Sequence, residues 1–580
     1  MIAQVVFDLP LEGPFDYSIP PALEPHISVG GCVEVFFGIK KRIGIVIGLI
    51  PQSVFENLKP IRALVNRQDP LDQAQMALGK AMSAYYGCFL GEALFSIVRG
   101  NAGVQLIEPL RQKGAMNCAP TLHVTPFGDY EKVLESLIKP LAQKRQKVLI
   151  LVADQFVAVS IEEILKKHFL REDYAIGTRS MVFRSLGDIA LVIMIDEDNP
   201  SYKQEQTPMY ETRQVLLMRK KIEALNLAFV STTPSVEMMH LVSQGEIELK
   251  NYPANALVKA QVIDLNNYKI LLKGCLSPAI LSALESNLPK GCKSILVFNH
   301  RGSFATTRCN DCGFVLKCKR CDSSMLYSRV KKLYLCRHCS SDQSADTLCP
   351  SCRKPSWKSF GLGIEQLQRA LQERFPKAKI ATFERGEEQM PKDYDILIGT
   401  VALLRFKYHT KVDLVAILDI DGEINRLDMH SCFRAWSLVG QLRPICQEQL
   451  LIQTRQRDHY VIESLVKDQG DIFYREDMLI RKELNLPPFS HQVVINFRGL
   501  QQDKTQEAAQ KLYQFLMEIK TNEVQVHSPE TEAISKKRDQ HRLNILVQGA
   551  DVVGMISLIK SSFIKLKRTG KVIVTFNVDP

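Results

Sequence analysis

No stretch of this 580-residue chain is apolar for long enough to cross a membrane; the longest run, Ile189 to Ile195, falls far short of the roughly 18 residues a span requires. The N-terminus, MIAQVVFDLPLEGPFDY, lacks a basic start followed by an apolar block. It places Asp8 and Pro10 where a secretion signal needs hydrophobic residues, so export is not expected. Internal repeats and low-complexity tracts are also missing. With 46% hydrophobic and 24% charged residues, the composition leaves little room for extended disorder or a fibrous repeat. A length several times that of a usual domain calls for roughly three to five folded units. The expectation is a soluble, cytoplasmic protein with no membrane partner.

What is present narrows the class. Lys plus Arg number 74 against 63 Asp plus Glu, a net +11 that suits a polyanion such as nucleic acid without proving one. Of 15 cysteines, eight fall between Cys309 and Cys352 as four C-x-x-C pairs: Cys309 with Cys312, Cys318 with Cys321, Cys336 with Cys339 and Cys349 with Cys352. Such spacing points to metal in a reducing compartment and not to disulfides. Two pairs complete one closed Cys₄ site, so eight thiolates make two structural zinc sites, and a closed site offers no open position for catalysis. Spacing alone leaves the pairing order open. The window is short of large hydrophobes, so metal would replace a core there. Its basic residues, Lys317, Lys319, Arg320, Arg329, Lys331, Lys332 and Arg337, either touch phosphate or form a solvated face.

Along the chain, residues 1–103 read as a small β-rich unit of Pro- and Gly-punctuated extended segments followed by a helical stretch. Residues 104–120 read as a linker. Over 121–265, short buried-strand runs (VLILVAD at 148–154, IALVIMIDED at 189–198, LAFVSTTPS at 227–235) alternate with helical patterns. Over 266–460 the runs SILVFNHRG, DILIGT and LVAILDIDG repeat that alternation, interrupted by the cysteine-rich insertion at 306–356. Alternation of this kind predicts two α/β lobes, each a parallel sheet covered by helices. Residues 461–580 read as an α+β end domain. The fold class is therefore multidomain α/β.

Several segments, in order, closely resemble one family, the primosomal replication-restart family PriA, also called primosomal protein N′. FDYSIP at 15–20, FFGIKKRIGIV at 36–46 and NLKPI at 57–61 resemble its 3′-end DNA-binding domain. NPSYKQEQTPMYETR at 199–213 is similar to its aromatic-rich loop. FNHRGSFATTRCNDCG at 298–313, the eight-cysteine spacing, ELNLPPFS at 483–490 and the closing FNVDP complete the set. The resemblance implies two RecA-like lobes with a two-zinc insertion in the second. One zinc is then held by Cys309, Cys312, Cys349 and Cys352, the other by Cys318, Cys321, Cys336 and Cys339. It also implies a pocket for a DNA 3′ end that includes Phe15, Asp16, Tyr17, Gly38 and Lys59. Physically, a carboxylate accepts from a 3′-hydroxyl, aromatic rings stack on a base and lysine meets phosphate. Tyr202, Lys203 and Tyr210 would be DNA-coupling residues. Implied partners are forked DNA with a 3′ end, primosome components, the replicative helicase and single-strand-binding protein.

The chain departs from the family at its motor. A phosphate loop needs glycine amides, a lysine for the terminal charge and a hydroxyl for magnesium. The corresponding VTPFGDYE, at 124–131, places Gly128 and Asp129 where glycine and lysine belong and Tyr130 in place of the hydroxyl. A carboxylate there repels a triphosphate. The acidic motif survives in part as Asp196, Glu197 and Asp198, with Asn199 at the family's histidine position. STTPS at 231–235 keeps the shape of the coupling motif. The Q-x-x-G-R-x-G-R segment reads SLVGQLRPI at 437–445, leaving at most Arg443. The family's winged-helix domain has no room in the about twenty residues available.

The resulting expectation is a fork-binding assembly factor in which Asp196 and Glu197 are remnants, two zinc ions are bound and ATP with magnesium is not. The competing reading is an active ATP-dependent 3′–5′ DNA helicase with an unusual phosphate loop. A third, a zinc-ribbon RNA-binding or transcription module, explains the cysteines but neither the lobes nor the first hundred residues.

Overall fold

The computed structural model describes the chain except for residues 66–69, 102–117, 126–128, 188, 224, 253–257, 268–275, 299–305, 313, 320–324, 329–332, 337–340, 345, 361–363, 385, 388, 409, 427, 538 and 567–571. The linker reading and the phosphate-loop residues Pro126 to Gly128 fall almost wholly outside the described residues.

Residues at the N-terminus form a five-stranded antiparallel sheet in the order Phe15–Ser18, Ile2–Phe7, Lys40–Ile50, Cys32–Phe37 and Ala63–Leu64. Its core includes Val5, Phe7, Tyr17, Val33, Val35 and Val46. Two helices follow, Gln73–Tyr86 and Leu90–Asn101. The first starts on a capping box in which Asp72 accepts from the Gln75 amide and Gln75 answers the Asp72 amide.

Two six-stranded parallel sheets come next. The first runs Glu248–Asn251, Thr121–Val124, Leu227–Ser231, Ile189–Ile195, Lys147–Leu151, Tyr174–Gly177. The alternation of strand side chains covers both faces: Val148 and Ile150 enter one core, Leu149 and Leu151 the other. The second sheet runs Ala260–Asp264, Cys446–Thr454, Val412–Ile417, Ser294–Val297, Ile396–Gly399, Ile380–Phe383. The cysteine-rich insertion follows the strand Ser294–Val297, before the helix Ile364–Arg374.

Two boundaries differ from the reading of the sequence. Strand Ala260–Asp264 pairs in parallel with Cys446–Thr454, so it closes the edge of the second sheet and the first lobe ends before it, not at residue 265. Helices Tyr460–Lys467 and Gly470–Glu483 bury Val461, Ile462, Leu465 and Phe473 with Leu438 and Leu442 in the second lobe's core. They therefore belong to that lobe and not to the end domain. Local composition reveals a helix but not the sheet it covers.

At the C-terminus, strands Gln525–Val526, Gln540–Gly549, His491–Gly499 and Val572–Val578 form an antiparallel sheet, with Glu530–Lys537 also pairing to Gln540–Gly549. Helices Gln502–Ile519 and Val552–Lys565 cover it through Leu512, Leu516, Ile556 and Ile559. That core is continuous with Met82 and Tyr86 of the N-terminal helices and with Leu149 and Phe229 of the first lobe. No helix among the described residues is long and apolar enough to cross a membrane.

Candidate functional site

The acidic motif stands at the end of strand Ile189–Ile195, between the lobes. Asp196 is 5% exposed, with a left-handed backbone (φ 48°). Both oxygens of its carboxylate are engaged. Tyr130 donates to Oδ1 at 2.5 Å, while Lys407 Nζ and the Tyr408 hydroxyl donate to Oδ2 at 2.6 and 2.8 Å. The Lys407 ammonium also lies over the rings of Tyr130 and Tyr408, 5.5 and 5.3 Å from their centroids. Tyr130 and Asp196 come from the first lobe and Lys407 and Tyr408 from the second, so this knot of charge and aromatic surface closes the cleft. Burial and the neighbouring carboxylate push both tyrosine hydroxyls well above their ordinary pKa, keeping them donors.

The neighbouring acids are also occupied. Glu197 accepts from the Ser235 amide at 2.7 Å, the Ser235 hydroxyl at 3.0 Å and Arg213 at 2.8 Å. Asp198 accepts from Ser437 and Gln441 of the other lobe at 3.2 and 3.3 Å, yet its Oδ1 is buried with no hydrogen-bond partner among the described residues. Burial first, then Glu197 and Asp196, push the Asp198 carboxyl well above its usual range. Further contacts seal the interface: the Thr233 and Ser437 hydroxyls meet at 2.8 Å, and Tyr474 donates to the Pro234 carbonyl at 2.6 Å.

Two expectations for this region change. Asp129 does not face into the cleft; it is half-exposed and pairs with Lys132 at 2.8 Å, one helical turn on. Tyr130 and Lys407 instead meet at Asp196. Arg443 turns away from the cleft and pairs with Asp468 at the end of helix Tyr460–Lys467. Asn199 caps a short helix by accepting from the Ser201 amide.

The aromatic-rich loop also differs from its expected role. Tyr202 is fully buried, donating to the carbonyls of Leu151 and Ile195 at 3.0 and 2.7 Å. Tyr210 is 5% exposed and packs edge-on against Phe183. Lys203 donates to the carbonyls of Val578 and Asp579 at 2.6 and 3.3 Å, binding the loop to the C-terminal strand. Tyr202, Lys203 and Tyr210 thus point inward, because the loop is sandwiched between the first lobe and the end domain.

In the insertion, strand Thr306–Cys309 pairs with Trp357–Phe360 and brings together the outer two cysteine pairs. The sulfurs of Cys309, Cys312, Cys349 and Cys352 all lie within 4.8 Å of one another, with Cys309 to Cys352 at 3.4 Å and Cys312 to Cys349 at 3.5 Å. A tetrahedral ion with bonds of about 2.3 Å separates its thiolates by roughly 3.8 Å, so this set fits a metal. Of the nested set, Cys318 and Cys336 are buried beside Leu316, Met325 and Tyr334, while Cys321 and Cys339 lie outside the described residues. A small apolar core thus does exist there, contrary to the expectation that metal replaces it. Lys317 and Lys319 are exposed, alternating with Leu316 and Cys318.

In the N-terminal sheet, Phe15 and Tyr17 share a face and pack with Phe7; Phe15 also meets Phe37 at 5.1 Å between ring centroids. Tyr17 is 5% exposed and donates to the Phe36 carbonyl, so its ring is core and is not offered to a base. Asp16 alternates to the opposite face, where Ser53 Oγ donates to its Oδ2 at 2.5 Å. Lys59 Nζ donates to the carbonyl of Gly38 at 2.6 Å. Gly38 has φ +63°, with open space where a side chain would begin. One segment, which carries both Ser53 and Lys59, thus bonds to the strand at Asp16 and to the hairpin tip at Gly38.

Comparison with known proteins bears on both ends of the chain. Residues 4–99 match the family model described as the PriA 3′DNA-binding domain (3′BD), and residues 482–580 match the Primosomal protein N C-terminal domain. Both ends of the chain are PriA-family domains. The Replication restart protein PriA of Rickettsia conorii is 25% identical over 614 residues, covering 94% of each chain. That of Treponema pallidum is 23% identical over 654 residues, covering 100% of this chain and 99% of its own, and that of Bacillus subtilis is 25% identical over 429 residues, covering 70% and 53%. Among solved structures, a variant of S. cerevisiae Dbp5 bound to RNA and ADP BeF3 covers 63% of this chain and 89% of its own at 9% identity, with a TM-score of 0.32, too low to support an assignment. The PriA end-domain boundary at 482 coincides with the end of the helices that the second lobe absorbs. Lys407, Tyr408 and Ser53 were missed as site residues. A buried cation 211 positions from its carboxylate leaves no local motif beyond a lysine set between aromatics in the ALLRFKYHT segment.

Proposed function

We propose that this chain is a PriA-type replication restart factor that binds stalled or abandoned forks through a free DNA 3′ end and promotes reloading of the replicative helicase without unwinding DNA itself. The observation that carries the non-motor part is the engagement of both Asp196 oxygens. Its two oxygens accept from three donors drawn from both lobes, one of them the buried ammonium of Lys407. Magnesium or an attacking water would have to displace Lys407, leaving its charge unpaired in a dry cleft, an exchange that strongly disfavours occupancy. The lobes act instead as a closed scaffold that holds the two DNA-binding ends and the insertion.

At the 3′ end, Asp16 receives the terminal hydroxyl, Lys59 the phosphate, and the open backbone at Gly38 allows close approach, with Phe15 and Tyr17 shaping the strand beneath. Asp16→Ala is expected to weaken binding to a 3′-hydroxyl end more than to a 3′-phosphate end. Equal losses would show that the pocket is misplaced. The insertion holds two structural zinc ions, on Cys309, Cys312, Cys349, Cys352 and on Cys318, Cys321, Cys336, Cys339. Its exposed lysines, with the chain's net positive charge, meet phosphate. Primosome components, the replicative helicase and single-strand-binding protein are the partners this role requires. The scaffold reading is tested by titrating the protein with a labelled ATP analogue, with and without forked DNA. The expected result is no saturable binding in either case; saturable binding would favour the helicase reading.

A further inference from the structure

The 3′-end reading leaves a gap. A terminal base needs an aromatic face, and the fold withholds those first assigned to it. Phe15 is tied into an aromatic cluster with Phe7 and Phe37, and Tyr17 is buried with its hydroxyl spent on the Phe36 carbonyl.

A second segment supplies what is missing. Ser53 Oγ donates to Asp16 Oδ2 at 2.5 Å and accepts from the Phe55 amide at 3.1 Å. This two-bond relay pins the Ser53–Phe55 loop beside the carboxylate. It fixes one carboxylate oxygen and leaves Oδ1 outside that bond. It also sets Phe55 at the rim, where its side chain buries little: Phe55 is 65% exposed and Val54 90% exposed. Large apolar side chains held outward by a hydrogen-bonded turn are costly to hydrate unless something covers them. The surroundings are cationic. Lys59 keeps two ammonium hydrogens beyond the one given to Gly38, and Lys40 and Arg42 follow the hairpin tip, whose Ile39 is 93% exposed, with Lys41 between them paired to Glu34 at 3.1 Å. An exposed aromatic ring, a carboxylate and lysines within one loop cluster match the base, hydroxyl and phosphate of a terminal nucleotide.

We infer that Phe55 is the stacking platform for the base of a 3′-terminal nucleotide, and that Ser53 is a positioning residue that aims Asp16 at the 3′-hydroxyl. This rests on the reading of Asp16 as the 3′-end acceptor. Both side chains lie outside the sheet's core, so their replacement leaves the domain folded.

The experiment measures anisotropy of the full chain with three short single strands: one with an ordinary 3′-hydroxyl end, one with a 3′-phosphate and one with an abasic 3′-terminal residue. Phe55→Ala is expected to weaken the ordinary end about tenfold and the abasic end little, with Phe55→Trp restoring the wild-type value. Ser53→Ala is expected to lower the hydroxyl-over-phosphate preference at least about threefold while keeping the penalty for the abasic end. Phe55→Ala binding like wild type, while Asp16→Ala still loses the hydroxyl preference, would overturn the platform and leave the end-binding reading intact. Wild-type protein that cannot tell hydroxyl from phosphate would overturn both.

Discussion

The ammonium of Lys407 lies 2.6 Å from Oδ2 of Asp196, and the two side chains, from opposite lobes, are only 6% and 7% exposed. A pair so dry does not require a large net gain to matter. Its importance is that neither member can leave without stranding the other.

Lys407→Met is therefore expected to destabilise the lobes by about 3–5 kcal/mol, because Asp196 is left charged and buried. Adding Asp196→Asn should recover much of that loss, a coupling that a double-mutant cycle in urea measures. Additive single losses would mean that the pair does not hold the cleft.

Asp198 makes the opposite prediction. Its folded-state pKa is raised well above 3.8 by burial and by its acidic neighbours. The group therefore contributes its full stability at pH values below the ordinary carboxylate range, and loses it as pH rises through the raised value. Asp198→Asn should raise the thermal midpoint, and by more at about pH 8 than at about pH 5. A gain that shrinks with rising pH would reverse the assigned direction.

The inward loop predicts a mechanical link. With Lys203 holding the carbonyls of Val578 and Asp579, Lys203→Met should speed amide exchange in strand Val572–Val578 and leave 3′-end binding unchanged. Faster exchange confined to the loop itself would argue against the tether.

Much of the architecture was legible in the chain. Continuous apolar runs such as VLILVAD mark strands buried on both faces, and four C-x-x-C pairs mark the insertion, whose outer four sulfurs do converge. What was hidden is direction and distance. Tyr202, Lys203 and Tyr210 stood as a DNA-coupling set because the family resemblance matches residue types in line but not the side they face, and the end domain covers that side. Asp129 read as the block because it occupies the lysine's place in line. Tyr130 and Lys407, the donors that engage Asp196, meet only once both sheets have formed and the lobes have docked.

The insertion predicts metal-coupled folding. Cys309→Ser should lower the zinc content from two equivalents per chain toward one by elemental analysis. It should also raise proteolysis within 306–360, because the ion supplies folding energy that this small core lacks. Unchanged metal content would exclude Cys309 as a ligand.

DNA-stimulated phosphate release by the purified full chain most directly tests the closed scaffold. With fork binding verified in the same sample, turnover is predicted to stay at background, and to remain there in Asp196→Ala. Release that rises with DNA and vanishes in Asp196→Ala would contradict the scaffold, since Asp196 would then be exchanging Lys407 for a nucleotide-bound metal.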